Sequence, residues 1–205
     1  MNQSKLNELK SERRLVSVIA IAILAILVIS GPIFAQEGTQ MDSKPTVVLV
    51  HGAFADSSSW NGVTRILLDD GYRVVAASNP LRGVKSDGDY VNAILNSIQG
   101  PIVLVGHSYG GMVITNAVKG NSNVQALVYV DAFAPDAGES SNGLIAQYPG
   151  SKLGPAIAPV VLPDGAVDAY IQQDQVPVVF AQDIPKADAQ MIAATQRPLA
   201  AAAGD

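Results

Sequence analysis

The sequence is 205 residues long, 48% apolar and 15% charged, with a formal net charge of −5, two histidines and no cysteine. That length and apolar content build one domain with a real core and exclude a disordered chain, and the acidic balance argues against a nucleic-acid partner. Without cysteine there is no disulfide, thiolate metal site, cysteine nucleophile or lipid-anchored cysteine.

Residues 1–35 read as a targeting segment. Lys5, Lys10, Arg13 and Arg14 form a basic stretch, and 15–29 is an apolar run broken only by Ser17. Ser30, Gly31 and Pro32 end that run, and Ile33-Phe34-Ala35 offers a small residue at a cleavage position. The expectation is export, with cleavage near Ala35 to a secreted or periplasmic product. The alternative is an uncleaved anchor over 15–35, the one case in which a membrane is a partner. Residues 36–45 are polar, with Gly38 and Pro45, and read as a linker.

From residue 46 the pattern becomes regular. TVVLV over 46–50 is a short β-branched run, the mark of a buried strand. It leads into the turn His51-Gly52-Ala53-Phe54. Ser57, Ser58 and Ser59 offer helix caps, after which Trp60, Val63, Leu67 and Leu68 recur at helical spacing up to Gly71. A second strand is expected over 72–77 and a loop around Asn79, Pro80, Gly83, Ser86 and Gly88. Val91, Ile94, Leu95 and Ile98 mark one apolar helix face, closed by Gly100 and Pro101.

Next comes PIVLVGHSYGG over 101–111. Four apolar residues, a glycine, then a serine with glycines at both second neighbours, then a helical pattern, spell a turn too sharp for bulky neighbours. This is the G-x-S-x-G elbow, which lifts Ser108 to the top of a sheet. The helix after it is expected over 109–119 and a fourth strand over 124–130. Alternating strands and helices with continuous apolar strands mean a parallel sheet covered on both faces. Ligands in such sheets bind at the carboxyl ends of the strands, where His51, Ser108 and Asp131 all fall. The spacing is not the G-x-G-x-x-G of a dinucleotide site, and two histidines leave little to hold a transition metal, so no cofactor is implied. After Phe133, prolines punctuate the chain. Two helices are expected, one from Asp164 with Val167, Tyr170 and Ile171 on a face, and one from Pro185 to about Gln196. Val176 to Phe180 is the nearest strand candidate, and 199–205 carries no packing signal.

Three stretches, TVVLVHGAFADSSSW, PIVLVGHSYGGMVITNA and VQALVYVDAFAPDAGES, together resemble the α/β-hydrolase superfamily. They are most similar to its small esterase and hydroxynitrile-lyase-like branch, which includes plant methyl esterases and bacterial relatives. The resemblance runs from 46 to 197. It implies a partial hydrolase core over 46–142, a helical lid with a tail over 143–205, and no cofactor.

By the same resemblance Ser108 is the nucleophile and the backbone N–H groups of Ala53 and Tyr109 hold the oxyanion, with Phe54 a poorer substitute for Ala53. His51 and His107 shape turns and are not the general base; the ring of His107 is expected to point away from the pocket. Asp131 is the candidate acid and Asp136 a weaker one, against the plainer reading of Asp131 as a solvated strand-end carboxylate. The family order is Ser, then an acid, then His, yet no histidine follows Ser108. The last strands of the fold are expected to be missing, leaving the fourth strand as an exposed edge. The functional expectation is a carboxylesterase-like serine hydrolase of small esters without its triad histidine. The alternatives are a hydroxynitrile-lyase-like enzyme and an inactive remnant or ligand-binding protein.

Intact-mass measurement of the exported protein is expected to show a chain beginning just after Ala35; a product that still carries Met1 would favour the anchor.

Overall fold

The structure is a computed structural model and describes residues 44–205; the targeting segment lies outside them. Four strands, β1 (Thr46–Val50), β2 (Val74–Ala77), β3 (Ile102–Ser108) and β4 (Val124–Ala132), form one parallel sheet in the order β2-β1-β3-β4. Helices α1 (Asn61–Asp69), α2 (Val84–Asn96) and α3 (Gly110–Ala117) make the crossovers. A single 3₁₀ turn, Ser57–Trp60, precedes α1 and is capped by Asp56, whose side chain accepts from the Ser58 N–H.

Strand alternation sorts the core into two layers. Val48, Val50, Ile102 and Leu104 face α2 and α3, where Val91, Leu95, Met112, Val113 and Ile114 meet them. Val47, Leu49 and Val105 face the other way and pack on Trp60, with Leu67 and Val103 at the margin. The second layer is thin. Helix α1 buries none of its residues, and Val63, Ile66 and Leu68 stand 42%, 64% and 54% exposed. The helix expected there forms, but of its apolar set only Trp60, in the turn before it, and Leu67 pack on the sheet.

β4 pairs with β3 on one side and with no other strand among the described residues. Val128, Tyr129 and Val130 are exposed along it.

The region beyond the sheet differs from the helical lid the sequence suggests. It contains α4 (Ser141–Gln147), α5 (Val176–Val179) and α6 (Lys186–Thr195), and it is organised on an antiparallel sheet of β5 (Ile157–Val161), β6 (Val167–Ile171) and β7 (Leu199–Ala200). The segment after Asp164, expected as a helix, is the second strand of a hairpin. Pro163-Asp164-Gly165 makes the turn: the Ala166 N–H donates to Asp164 Oδ1, and Gly165 takes φ +87°. Val176 to Phe180, the strand candidate, instead starts a short helix, with Pro177 in its first turn, where a fixed φ suits helix entry. Residues 199–205 pack after all. Ala203 is buried, and the Ser141 hydroxyl donates to the Gly204 carbonyl. The helix from Pro185 is present as expected, with Pro185 at its N-cap.

Ile171, Val176, Ala181, Ala189, Ala193 and Ala203 of this cap join the core layer of Val48 and Leu104, Phe180 meets Phe54 edge-on at 6.1 Å, and polar bonds from one turn fasten the rim. Arg82 reaches Asp168 of β6 at 2.6 Å and the Pro198 carbonyl at 2.9 Å. The Ala200 N–H donates to the Leu81 carbonyl at 2.9 Å. Within the cap itself, Gln196 bonds both the N–H and the carbonyl of Ile171. Asp168 is 8% exposed while the Arg82 side chain is 42% exposed, so solvent screens one partner only. Replacing Asp168 by Ala is expected to lower unfolding stability by about 1–2 kcal/mol, read from a urea melt; an unchanged midpoint would mean that the pair does not hold the cap.

Candidate active site at the end of the third strand

Ser108 ends β3 with φ +53°, in the left-handed region that a side chain disfavours. The surrounding glycines show why the turn holds. A Cβ on Gly106 would stand 2.6 Å from the Gly110 carbonyl oxygen, one on Gly110 2.5 Å from that of Val50, and one on Gly111 2.0 Å from that of Phe133. No real Cβ sits that close to backbone oxygen. The elbow therefore depends on absent side chains at all three positions. Gly52 closes it from the β1 side, since a Cβ there would lie 2.8 Å from the Cβ of Ser108.

Four non-glycine residues among those described have positive φ: Phe54, Leu81, Ser108 and Asp131. They follow or end β1, β2, β3 and β4 in turn, at the carboxyl ends. Such conformations cost about 1–3 kcal/mol each and persist where the surroundings over-determine them. Their grouping at one end of the sheet makes that end the candidate site.

Of the expected oxyanion donors, the Tyr109 N–H directly follows Ser108, and that of Ala53 follows Gly52, which closes on the Ser108 side chain. Both residues are buried, and among the described residues neither N–H has a protein acceptor. Tyr109 is the N-cap of α3, so the positive end of that helix lies beside it. Its hydroxyl donates to Asp87 Oδ2 at 3.0 Å. Burial and the adjacent carboxylate push the phenol well above its usual range.

Neither histidine is free to serve Ser108. His51 is fully buried; its Nε2 accepts from the Asn79 N–H at 3.0 Å, which leaves the proton on Nδ1, donated to the Gly52 carbonyl at 2.9 Å. Burial lowers its pKa from 6.5. His107 precedes Ser108 on β3 and so faces the opposite layer, where its ring meets Trp60 edge-on at 6.3 Å. Burial lowers its pKa too, opposed by the charge of Asp131.

Asp131 is the extra residue of a bulge, between Val130 opposite His107 and Ala132 opposite Ser108, and it is exposed. Asp136 lies in the following loop, where its N–H donates to Glu139. Both Asp136 and Glu139 line a cleft of about 510 Å³ with Phe133, Leu144 and Tyr148. The Phe133 N–H donates to the Ser108 carbonyl, so the cleft borders the elbow. Among the described residues no three His, Asp or Glu groups gather to hold a metal. Reading the sequence missed Asn79 and Asp87, both fully buried polar residues. The only trace of them is a polar residue beside Pro80 and an acid in the first turn of a helix.

A serine raised between a parallel strand and a helix, with open backbone N–H groups beside it, is the architecture of an α/β-hydrolase. The chain belongs to the alpha/beta hydrolase family, whose model matches residues 47–205. It is 33% identical over 111 residues to a carbendazim hydrolyzing esterase of Nocardioides sp. (strain SG-4G), covering 48% of this chain and 46% of that protein. It is 25% identical over 122 residues to an alpha-hydroxynitrile lyase of Arabidopsis thaliana, covering 53% of this chain and 47% of that protein. The chain thus spans about half the length of the curated relatives it matches. The crystal structure of polyneuridine aldehyde esterase has the same fold, with a TM-score of 0.65 at 19% identity over 76% of this chain and 69% of that one.

The state of His51 sets a pH dependence. Its folded pKa lies below 6.5, so below that pH the unfolded chain binds a proton that the folded chain refuses. Stability is expected to be complete above about pH 6.5 and to fall as the pH drops below it. Melting temperatures between pH 7.5 and 5.5 check this; a rise on acidification would contradict the neutral Nδ1–H form.

Proposed function

We propose that the protein is a carboxylesterase-like serine hydrolase of small esters, with Ser108 as nucleophile. The reading is carried by Ser108 held at φ +53° between a strand and a helix by glycines that tolerate no Cβ. The Ser108 oxygen attacks the ester carbonyl, and the developing oxyanion lies between the Ala53 and Tyr109 N–H groups. One such donor is worth about 10²–10³ in rate. The hydroxyl proton of Ser108 passes to a base from solution such as imidazole, which returns it to the leaving alkoxide as the C–O bond breaks; the alcohol departs, an acyl-serine remains, and water, deprotonated by the same base, displaces Ser108 and releases the carboxylic acid. The cleft beside Phe133, with Leu144 and Tyr148, is where the acyl or alcohol group rests. Asp131 is the acid in this reading. An ester substrate is supported by the likeness to the carbendazim hydrolyzing esterase.

A serine hydroxyl is a weak nucleophile without a base, and both histidines of the sequence are engaged elsewhere. With His51 and His107 so engaged, Ser108 is expected to be acylated slowly and to be accelerated by an added base.

A fluorophosphonate probe is expected to label Ser108, p-nitrophenyl acetate to be turned over slowly, and both rates to climb with imidazole concentration. Ser108→Ala is expected to abolish labelling and turnover. Equal rates for the wild type and Ser108→Ala would overturn the reading. Cyanide release from mandelonitrile without ester turnover would favour lyase chemistry instead.

A further inference from the structure

The two N–H groups beside Ser108 come from different strand ends, yet both are tied to the same short turn. Residues 79–83 follow β2. On one side Asn79 holds the β1 loop: its N–H donates to His51 Nε2 at 3.0 Å, its Nδ2 to the His51 carbonyl at 3.2 Å, and its Oδ1 accepts from the Leu81 N–H at 3.4 Å. Ala53 is two residues beyond His51. On the other side Asp87 is fully buried in the first turn of α2. Its carboxylate accepts from the Arg82 N–H at 3.1 Å on both oxygens and from the Gly83 N–H at 3.4 Å. The Ser86 hydroxyl adds a contact at 3.5 Å. Its remaining partner is the Tyr109 hydroxyl at 3.0 Å.

We infer that Asp87 is a positioning residue for the oxyanion pocket, fixing the Tyr109 N–H by gripping the far end of the Tyr109 side chain. This rests on the reading of Ser108 as nucleophile. Tyr109 is 2% exposed and its ring has one polar atom, so the bond to Asp87 fixes where that ring lies. The ring in turn fixes the rotation of the backbone at the start of α3, and hence the direction of its N–H. Donors must lie about 2.7–3.1 Å from the oxyanion to act, so a shift of a few tenths of an ångström matters. Asp87 touches no substrate and is not catalytic. Capping the turn accounts for its bonds to Arg82 and Gly83; it does not account for the bond to Tyr109.

The test follows phosphonylation of Ser108 in the full chain by a fluorophosphonate at fixed imidazole, separating the binding constant of the probe from the maximal rate. Tyr109→Phe keeps the ring, the packing and the other bonds of Asp87. It is expected to slow the maximal rate about ten-fold with probe binding unchanged, and to lower the melting temperature only as far as the loss of one buried hydrogen bond does. Asp87→Asn, which places an amide N–H against the Arg82 and Gly83 donors or the Tyr109 hydroxyl, is expected to slow it at least as much. Tyr90→Phe, an exposed tyrosine of the same helix, is the control and is expected to react like the wild type. A wild type that labels, with Tyr109→Phe reacting equally fast, would overturn the positioning role and leave the nucleophile intact. A parallel loss of rate, probe binding and melting temperature would make the bond structural only, and also overturn it. A wild type whose labelling matches Ser108→Ala overturns the nucleophile and this inference together.

Discussion

Everything at this site depends on backbone passing backbone with nothing between. Strand β3 must end, turn and enter α3 within contact of the carbonyls of Val50, Gly110 and Phe133, and only glycine at 106, 110 and 111 leaves the room. Once that turn is set, Ser108 has one place to go. The β1 loop closes on it through Gly52, and the chain leaving β4 closes on Gly111 through Phe133. The tight approach is thus the common origin of the raised serine, the N–H groups beside it and the route of the chain into the cap.

A second feature follows from the first. A backbone bent this sharply needs fixed neighbours, and buried polar side chains supply them. His51 and Asn79 clasp the ends of β1 and β2 together, while Asp87 and Tyr109 clasp α2 to α3. The side-chain polar groups of these pairs all find partners, which is the condition under which burying polar groups stiffens a fold rather than weakening it. The Tyr109 ring belongs to the larger core layer, so the well-packed half of the molecule also carries the residue that follows Ser108.

Much of this was legible in the sequence because it is local. Apolar β-branched runs announce β1 and β3, and the glycines around Ser108 announce the elbow, since each signal needs only its near neighbours along the chain. Val167, Tyr170 and Ile171 were misleading for a physical reason: positions 167, 170 and 171 fit a helical face, while 167, 169 and 171 fit one side of a strand. Five residues cannot decide between the two periods, and the hairpin pairing with β5 decided it. Asn79 and Asp87 were illegible because their roles exist only after distant segments meet. Asn79 bonds a residue 28 positions away, and Asp87 one 22 positions away. The thin second layer over α1 is likewise a matter of what covers a face, which periodicity does not report.

The way the cap is attached separates what is interchangeable in this protein from what is not. Elbow and sheet are joined by steric fit, which admits almost no alteration. The cap meets the turn after β2 through a few directional bonds: an arginine to a carboxylate and to a carbonyl, and one backbone pair at Leu81. Apolar side chains do more: Ile171, Val176, Ala181, Ala189 and Ala203 of the cap share one core cluster with Val48, Leu104 and Tyr109, and Phe180 meets Phe54 edge-on at 6.1 Å. Sheet and cap therefore share one core, and what is interchangeable is the half-exposed ion pair at its rim, not the cap as a whole.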